Sequence, residues 1–183
     1  MKNILLILTI TLAAKHSVAQ IFLASKTEIN FYSATPVEDI KAKNINATSI
    51  LNTANNEIVF KVPNSGFKFD NSLMEEHFNE NYMETPKFPT SEFKGKINEA
   101  IDYKQDGTYD VTVTGKMKIH GKEIDKTYKG KIIIKGNDIS VDAKFDVSLK
   151  EHDIKVPKLV IKNIAENIET TIHAEYKPYE KKK

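Results

Sequence analysis

The sequence predicts an all-β domain of antiparallel strands, closed as a barrel or folded as a sandwich. Three observations carry this expectation. Apolar and polar residues alternate with period two through most of the chain. Turn pairs such as Asp106-Gly107 and Gly136-Asn137 stand between the alternating runs, where tight hairpins are expected. The runs recur at a spacing of roughly 10–15 residues, which suits a meander.

Taken in order, "TEINFYS" offers Ile29 and Phe31 to one face. Residues 38–52 read as a turn leading into a strand with Ile45, Ala47, Ser49 and Leu51 inward; a short helix is the alternative. "NEIVFKVP" offers Ile58, Phe60 and Val62. Residues 71–82 break the alternation and read as a short helix, capped by Asn71 or Ser72. Leu73, Met74, His77, Phe78 and Tyr82 fall on one helical stripe, and Glu75, Glu76, Asn79 and Glu80 are expected in water. Pro86 and Pro89 then stretch the chain into a strand with Phe93, Ile97 and Ile101. "TYDVTVTGKMKI" places Tyr109, Val111, Val113, Met117 and Ile119 inward, and Gly121 ends it. "YKGKIIIKG" is a further strand. "DISVDAKFDVSL" alternates Ile139, Val141, Ala143, Phe145, Val147 and Leu149 with charged and hydroxyl residues. "NIETTIHAEY" closes the series with Ile168, Thr170, Ile172, Ala174 and Tyr176. One greasy and one wet face per strand implies an apolar interior.

The chain has 183 residues, 40% hydrophobic and 28% charged, ordinary values for one globular domain. A net charge of +2, interleaved along the chain, argues against nucleic acid as partner. Every basic side chain other than histidine is lysine, so no guanidinium fork is available to grip phosphate or carboxylate. Residues 4–14, "ILLILTITLAA", follow Lys2 and precede Ser17-Val18-Ala19. That pattern is expected to be a secretory signal over residues 1–19. The run falls short of the roughly 20 apolar residues of a membrane-spanning helix, so no integral membrane segment is expected. The expected products are a domain over residues 20–178 and a solvated lysine-rich tail over 179–183, in a periplasmic or secreted location. The chain has no cysteine, which removes disulfides, thiol catalysis, zinc sites of cysteine type and a lipoprotein anchor.

Two stretches carry a family resemblance. "FNENYMETPKFP" leads into Phe93 and Gly95, and "GTYDVTVTGKMKIHG" follows. Together they resemble the YceI-like family of secreted, lipocalin-like proteins, over roughly residues 21–177. The segment after Gly121, "KEIDKTY", is more charged than the usual family pattern. The resemblance implies an antiparallel eight-stranded barrel with a helix set against it, around an elongated apolar cavity. It further implies non-enzymatic binding of a long apolar lipid, a polyisoprenoid or quinone-like molecule. No other cofactor is expected, and the sequence leaves a homodimer open.

The expected cavity residues are Phe60, Val62, Phe67, Phe69, Met74, Phe78, Tyr82, Phe88, Phe93, Met117 and Phe145. A barrel of this size can hold one ligand or be filled by its own side chains, as a structural or interaction module would be. Composition does not separate the two. The aromatic segment 78–93 could serve as a lid or as a plug. Glu80 and Glu84 are expected to cap backbone groups or to pair with Lys87. No two histidines stand at the helical i, i+4 spacing of a zinc site, so no metal is expected. His120 is expected to make a structural hydrogen bond at a strand end. No nucleophile elbow, phosphate loop or cysteine nucleophile is present, so no enzyme is expected.

Overall fold

The computed structural model describes residues 21–157 and 162–179. Expectations for residues 1–19 and for the tail beyond Tyr179 lie outside the described residues. Among the described residues ten strands and one α-helix follow in order: β1 (Ile21–Ala34), β2 (Asp39–Asn44), β3 (Thr48–Asn52), β4 (Glu57–Pro63), β5 (Phe67–Phe69), α1 (Ser72–His77), β6 (Thr90–Ile97), β7 (Gly107–Ile119), β8 (Lys122–Lys135), β9 (Asp138–Ser148) and β10 (Asn167–Pro178).

These strands form a closed antiparallel barrel of eight staves. β1 pairs along one edge with β10, as in Ile29 opposite Ile172, which closes the ring. Its other edge meets β3 at residues 21–23 and β2 at residues 29–34. β2 and β3 are therefore the two halves of one stave. β5 pairs with β2, and β4 pairs with β3, so the next stave is broken in the same place. Closure leaves no long unpaired edge.

The paired break has a local cause. Asn44 is fully buried; its Oδ1 accepts from Asn46 N at 2.8 Å, and its Nδ2 donates to Pro63 O at 2.8 Å. Opposite it, residues 64–66 make a single tight helical turn. The buried residues run Ala42, Asn44, then Ala47, Ser49 and Leu51. The step of three at the break reverses the phase, and Ile45 is left outside at 64% exposure. The sequence expectation of one strand with Ile45 inward is corrected by this shift. In β1 a bulge between Ala24 and Lys26 resets the phase in the same way.

The expected hairpin at Gly136-Asn137 forms, with Lys135 opposite Asp138 and Gly136 in the left-handed region. The expected tight turn at Asp106-Gly107 does not. β6 ends at Ile97, and the connection runs through residues 98–106 before β7 begins at Gly107. Asp106 instead accepts from Gly136 N at 2.8 Å, which braces the neighbouring hairpin.

Side-chain filling is uneven along the barrel. At the end that carries the β3–β4, β6–β7 and β8–β9 connections, Leu51, Ile97, Ile132, Ile134, Ala174 and Tyr176 are all 1% exposed or less. Tyr176 Oη lies 2.5 Å from Ser49 Oγ, which donates to Val59 O at 2.8 Å. The phenol thereby enters an apolar core with its polar atom satisfied. This end is solid. The opposite end, under α1, is not.

Candidate functional site

A cavity of about 370 Å3 occupies the half of the barrel beneath α1. That size falls within the roughly 300–1,000 Å3 of small-molecule sites. Phe60, Val62, Phe67, Phe69, Met74, Phe78, Tyr82, Phe93, Met117 and Phe145 line it. Phe88 does not, which corrects its expected place. Its ring packs edge-on against His120 at 4.6 Å, outside the cavity, with Lys87 Nζ 4.8 Å from the ring centroid.

Four phenylalanines form one wall. Phe31 meets Phe67, Phe69 and Phe78 at centroid distances of 5.3, 5.4 and 5.6 Å. Of the other lining rings, Phe145 stacks on Tyr128 at 4.1 Å, and Phe93 lies 5.9 Å from the same tyrosine, which packs behind them rather than in the lining. Burial pushes the Tyr128 phenol up to about 12.

The cover is built from the sequence upward. Asn71 caps α1, accepting from Leu73 N at 2.9 Å and Met74 N at 3.4 Å. Glu75, expected in water, instead ties the helix to β5. Its carboxylate holds Lys68 Nζ at 2.5 Å and accepts from Phe69 N at 3.4 Å. The lysine partner lowers its pKa. After His77 the chain widens into a π turn over Phe78–Tyr82, in which Met83 N donates to Phe78 O at 2.8 Å. A bond to the fifth rather than the fourth residue lets Phe78, Tyr82 and Met83 all face the cavity. Asn79, also expected in water, donates to Glu75 O at 2.9 Å and accepts from Thr85 Oγ1 at 2.9 Å. Glu84, at φ 43°, turns the chain back toward β6.

The cover is fastened to the barrel at two points. Asn64 is fully buried, donates to Phe88 O at 2.7 Å and accepts from Ser91 Oγ at 2.8 Å. His120, at φ 51°, stands in the β7–β8 turn with Nε2 2.7 Å from Glu84 Oε2. The expected structural role of His120 is what the geometry gives. Glu84 also reaches Lys87 at 4.0 Å.

The polar groups of the wall are few. Thr170 donates to Ile168 O at 3.3 Å, Ser33 accepts from Ala165 N at 2.9 Å, and Asn163 donates to Glu38 at 3.2 Å. Among the described residues, Glu38 and Glu92 are the carboxylates of the lining, and no lysine belongs to it. Tyr82 makes no hydrogen bond among the described residues, and burial raises its pKa. No group of three histidine, aspartate or glutamate side chains fit to hold a metal occurs among the described residues.

The YceI-like domain model matches residues 10–176. The chain belongs to the YceI-like family. Among solved structures, this YceI-like chain is similar to a polyisoprenoid-binding domain from Saccharophagus degradans, with TM-score 0.71 and 11% identity, covering 86% of this chain and 98% of that one. It is similar to BcnA of Burkholderia cenocepacia, with TM-score 0.66 and 14% identity over 81% and 95% of the two chains. The YCEI protein of Campylobacter jejuni gives 0.57 and 15% over 74% and 81%. At these identities the likeness shows a shared fold. No curated protein matches the chain.

Several lining residues escaped the sequence expectation: Phe31, Ile154, Asn163 and Ile164 among them. Alternation placed Phe31 on an inward face, yet alternation carries no depth along the barrel. Ile154, Asn163 and Ile164 lie on the β9–β10 connection, which has no period to read.

Proposed function

We propose that this YceI-like domain binds a long apolar lipid, a polyisoprenoid or quinone-like molecule, without catalysing a reaction on it, and carries or sequesters it outside the cytoplasm. One observation carries the reading: the half-barrel under α1 is hollow and walled by phenylalanine, isoleucine, valine and methionine. Apolar surface removed from water is worth roughly 25 cal/mol per Å2, so an enclosed hydrocarbon chain gains several kcal/mol by burial alone. Methionine at Met74, Met83 and Met117 gives the wall adaptability to chain shape. The likeness to the polyisoprenoid-binding domain of Saccharophagus degradans supports the same ligand class. The secretory pattern of residues 1–19 supports the location. Among the described residues, no helix is long and apolar enough to cross a membrane.

The test is mass spectrometry of an organic extract from protein purified from its native membrane fraction or periplasm, without detergent. A prenyl lipid stoichiometric with protein is the expected result. A clean extract, together with no uptake of a labelled prenyl alcohol, would overturn the reading.

A further inference from the structure

We propose that Tyr82 selects an uncharged lipid head by donating a hydrogen bond from its phenol to a ligand oxygen, and that the cavity rejects phosphate-headed chains. The inference rests on the lipid-site reading above and adds the chemistry of the head and the residue that reads it.

The charge of the wall excludes an anion. Among the described residues no lysine lines the cavity, and the acidic groups facing it are Glu38 and Glu92; the chain has no arginine. A phosphate drawn inside would meet carboxylates and, among the described residues, no cation. A buried charge without a partner is strongly disfavoured, whereas a carbonyl or ether oxygen needs only one donor.

The hydrogen-bond inventory then leaves few donors free among the described residues. Ser91 donates to Asn64, Asn64 to Phe88 O, Thr170 to Ile168 O and Asn163 to Glu38. Ser33 accepts from Ala165 N, which leaves its own O–H as a second donor, deeper in the wall than Tyr82. Asn71 and His77 are exposed and already wet. Tyr82 is half-buried, lines the cavity and has no hydrogen-bond partner among the described residues. Its raised pKa keeps the phenol protonated, hence a donor, at any physiological pH. The π turn is what aims it inward, since its neighbour Met83 shares the same face only through the wide Phe78–Met83 bond. A site that offers an unpaired donor discriminates against a ligand that lacks the acceptor.

The experiment compares three probes with the same three-unit prenyl chain: a benzoquinone, the bare hydrocarbon and the monophosphate. Each is presented in phosphatidylcholine vesicles to wild-type protein and to Tyr82→Phe, and the protein-bound fraction is extracted and quantified. Tyr82→Phe is expected to lower quinone uptake about five- to tenfold and to leave hydrocarbon uptake within about twofold, as loss of one hydrogen bond requires. Monophosphate uptake by the wild type is expected about tenfold or more below that of the quinone. Equal losses for quinone and hydrocarbon, an unchanged quinone uptake, or monophosphate uptake equal to that of the quinone would each overturn the inference while sparing the lipid site. Failure of all three probes, the hydrocarbon included, would remove both.

Discussion

His120 Nε2 lies 2.7 Å from the Glu84 carboxylate, while Nδ1 of the same ring lies 3.2 Å from His152 O. One imidazole thus joins the cover segment, the β7–β8 turn and the β9–β10 connection at the mouth of the barrel. His120→Ala removes both contacts and is expected to cost about 1–3 kcal/mol. For a chain of this size that lowers Tm by about 2–10 °C. Glu84→Gln keeps one hydrogen bond and should fall between wild type and His120→Ala in a thermal melt. Equal stability of all three proteins would show that the contact is idle.

Gly121 completes the same turn. Its φ is 76°, and a Cβ added there would stand 2.5 Å from the Phe88 ring. Gly121→Ala therefore combines left-handed strain with a clash against an aromatic wedged beside His120. A loss of about 1–3 kcal/mol is expected in urea unfolding. Gly121→Ala together with Phe88→Leu should recover part of it, because only the clash is relieved.

Two histidines give the stability profile opposite slopes. His152 is buried, its Nδ1 has no partner, and burial, with Lys126 adding to it, holds its pKa below 6.5. Glu151 and backbone bonds to Lys122 and Ile119 work against that shift. As pH falls through about 6.5 the unfolded chain takes the proton first, so stability drops below that pH. His173 behaves in reverse. Asp142 at 2.7 Å raises its pKa, so its contribution is complete below about 6.5 and is lost as pH rises through the higher folded value. Glu75, Glu151 and Glu175 sit below 4.5 beside lysine or histidine partners and lose their contributions only in stronger acid. Unfolding measured between about pH 5 and pH 8 should therefore show His152→Gln flattening the acid limb. Over the same range His173→Gln should steepen it. A profile unchanged by His152→Gln would contradict the buried, neutral state of that ring.

The uneven filling of the barrel is tested by a matched pair of enlargements. Ile132 is 1% exposed in the solid end, and Ile132→Phe should cost about 1–3 kcal/mol through overpacking. Ile172 faces the cavity, and Ile172→Phe should be accommodated within about 0.5 kcal/mol, since the ring enters open space. The second variant should also take up less lipid. Equal destabilisation by the two would mean that the half under α1 is as full as the other.

Much of the barrel was legible because inward residues of a strand recur every second position. The runs in β4, β7, β9 and β10 needed nothing more. The failures share a cause. At Asn44–Ala47 a buried asparagine takes over backbone pairing from the neighbouring stave, and the alternation slips by one residue. Ile45 looks inward in the sequence and is outward in space. The helix cap at Asn71 was readable from residue type, but the π turn that follows was not, because it depends on packing against the barrel. Glu75 and Asn79 looked solvated for the same reason. Phe88 was misplaced because the Pro86-Pro89 segment has no period that assigns its side chains to a face. Whether the interior was hollow was beyond the sequence, since the residues that fill one end and wall the other are of the same kinds.

The most direct measurement is the electron density of crystals grown after incubation with a three-unit prenyl alcohol. A continuous tube of density running from beneath Tyr82 past Phe93 and Met117 to Phe145 is the predicted result. An empty chamber between those side chains, or density lying only on the outer surface, would contradict the account.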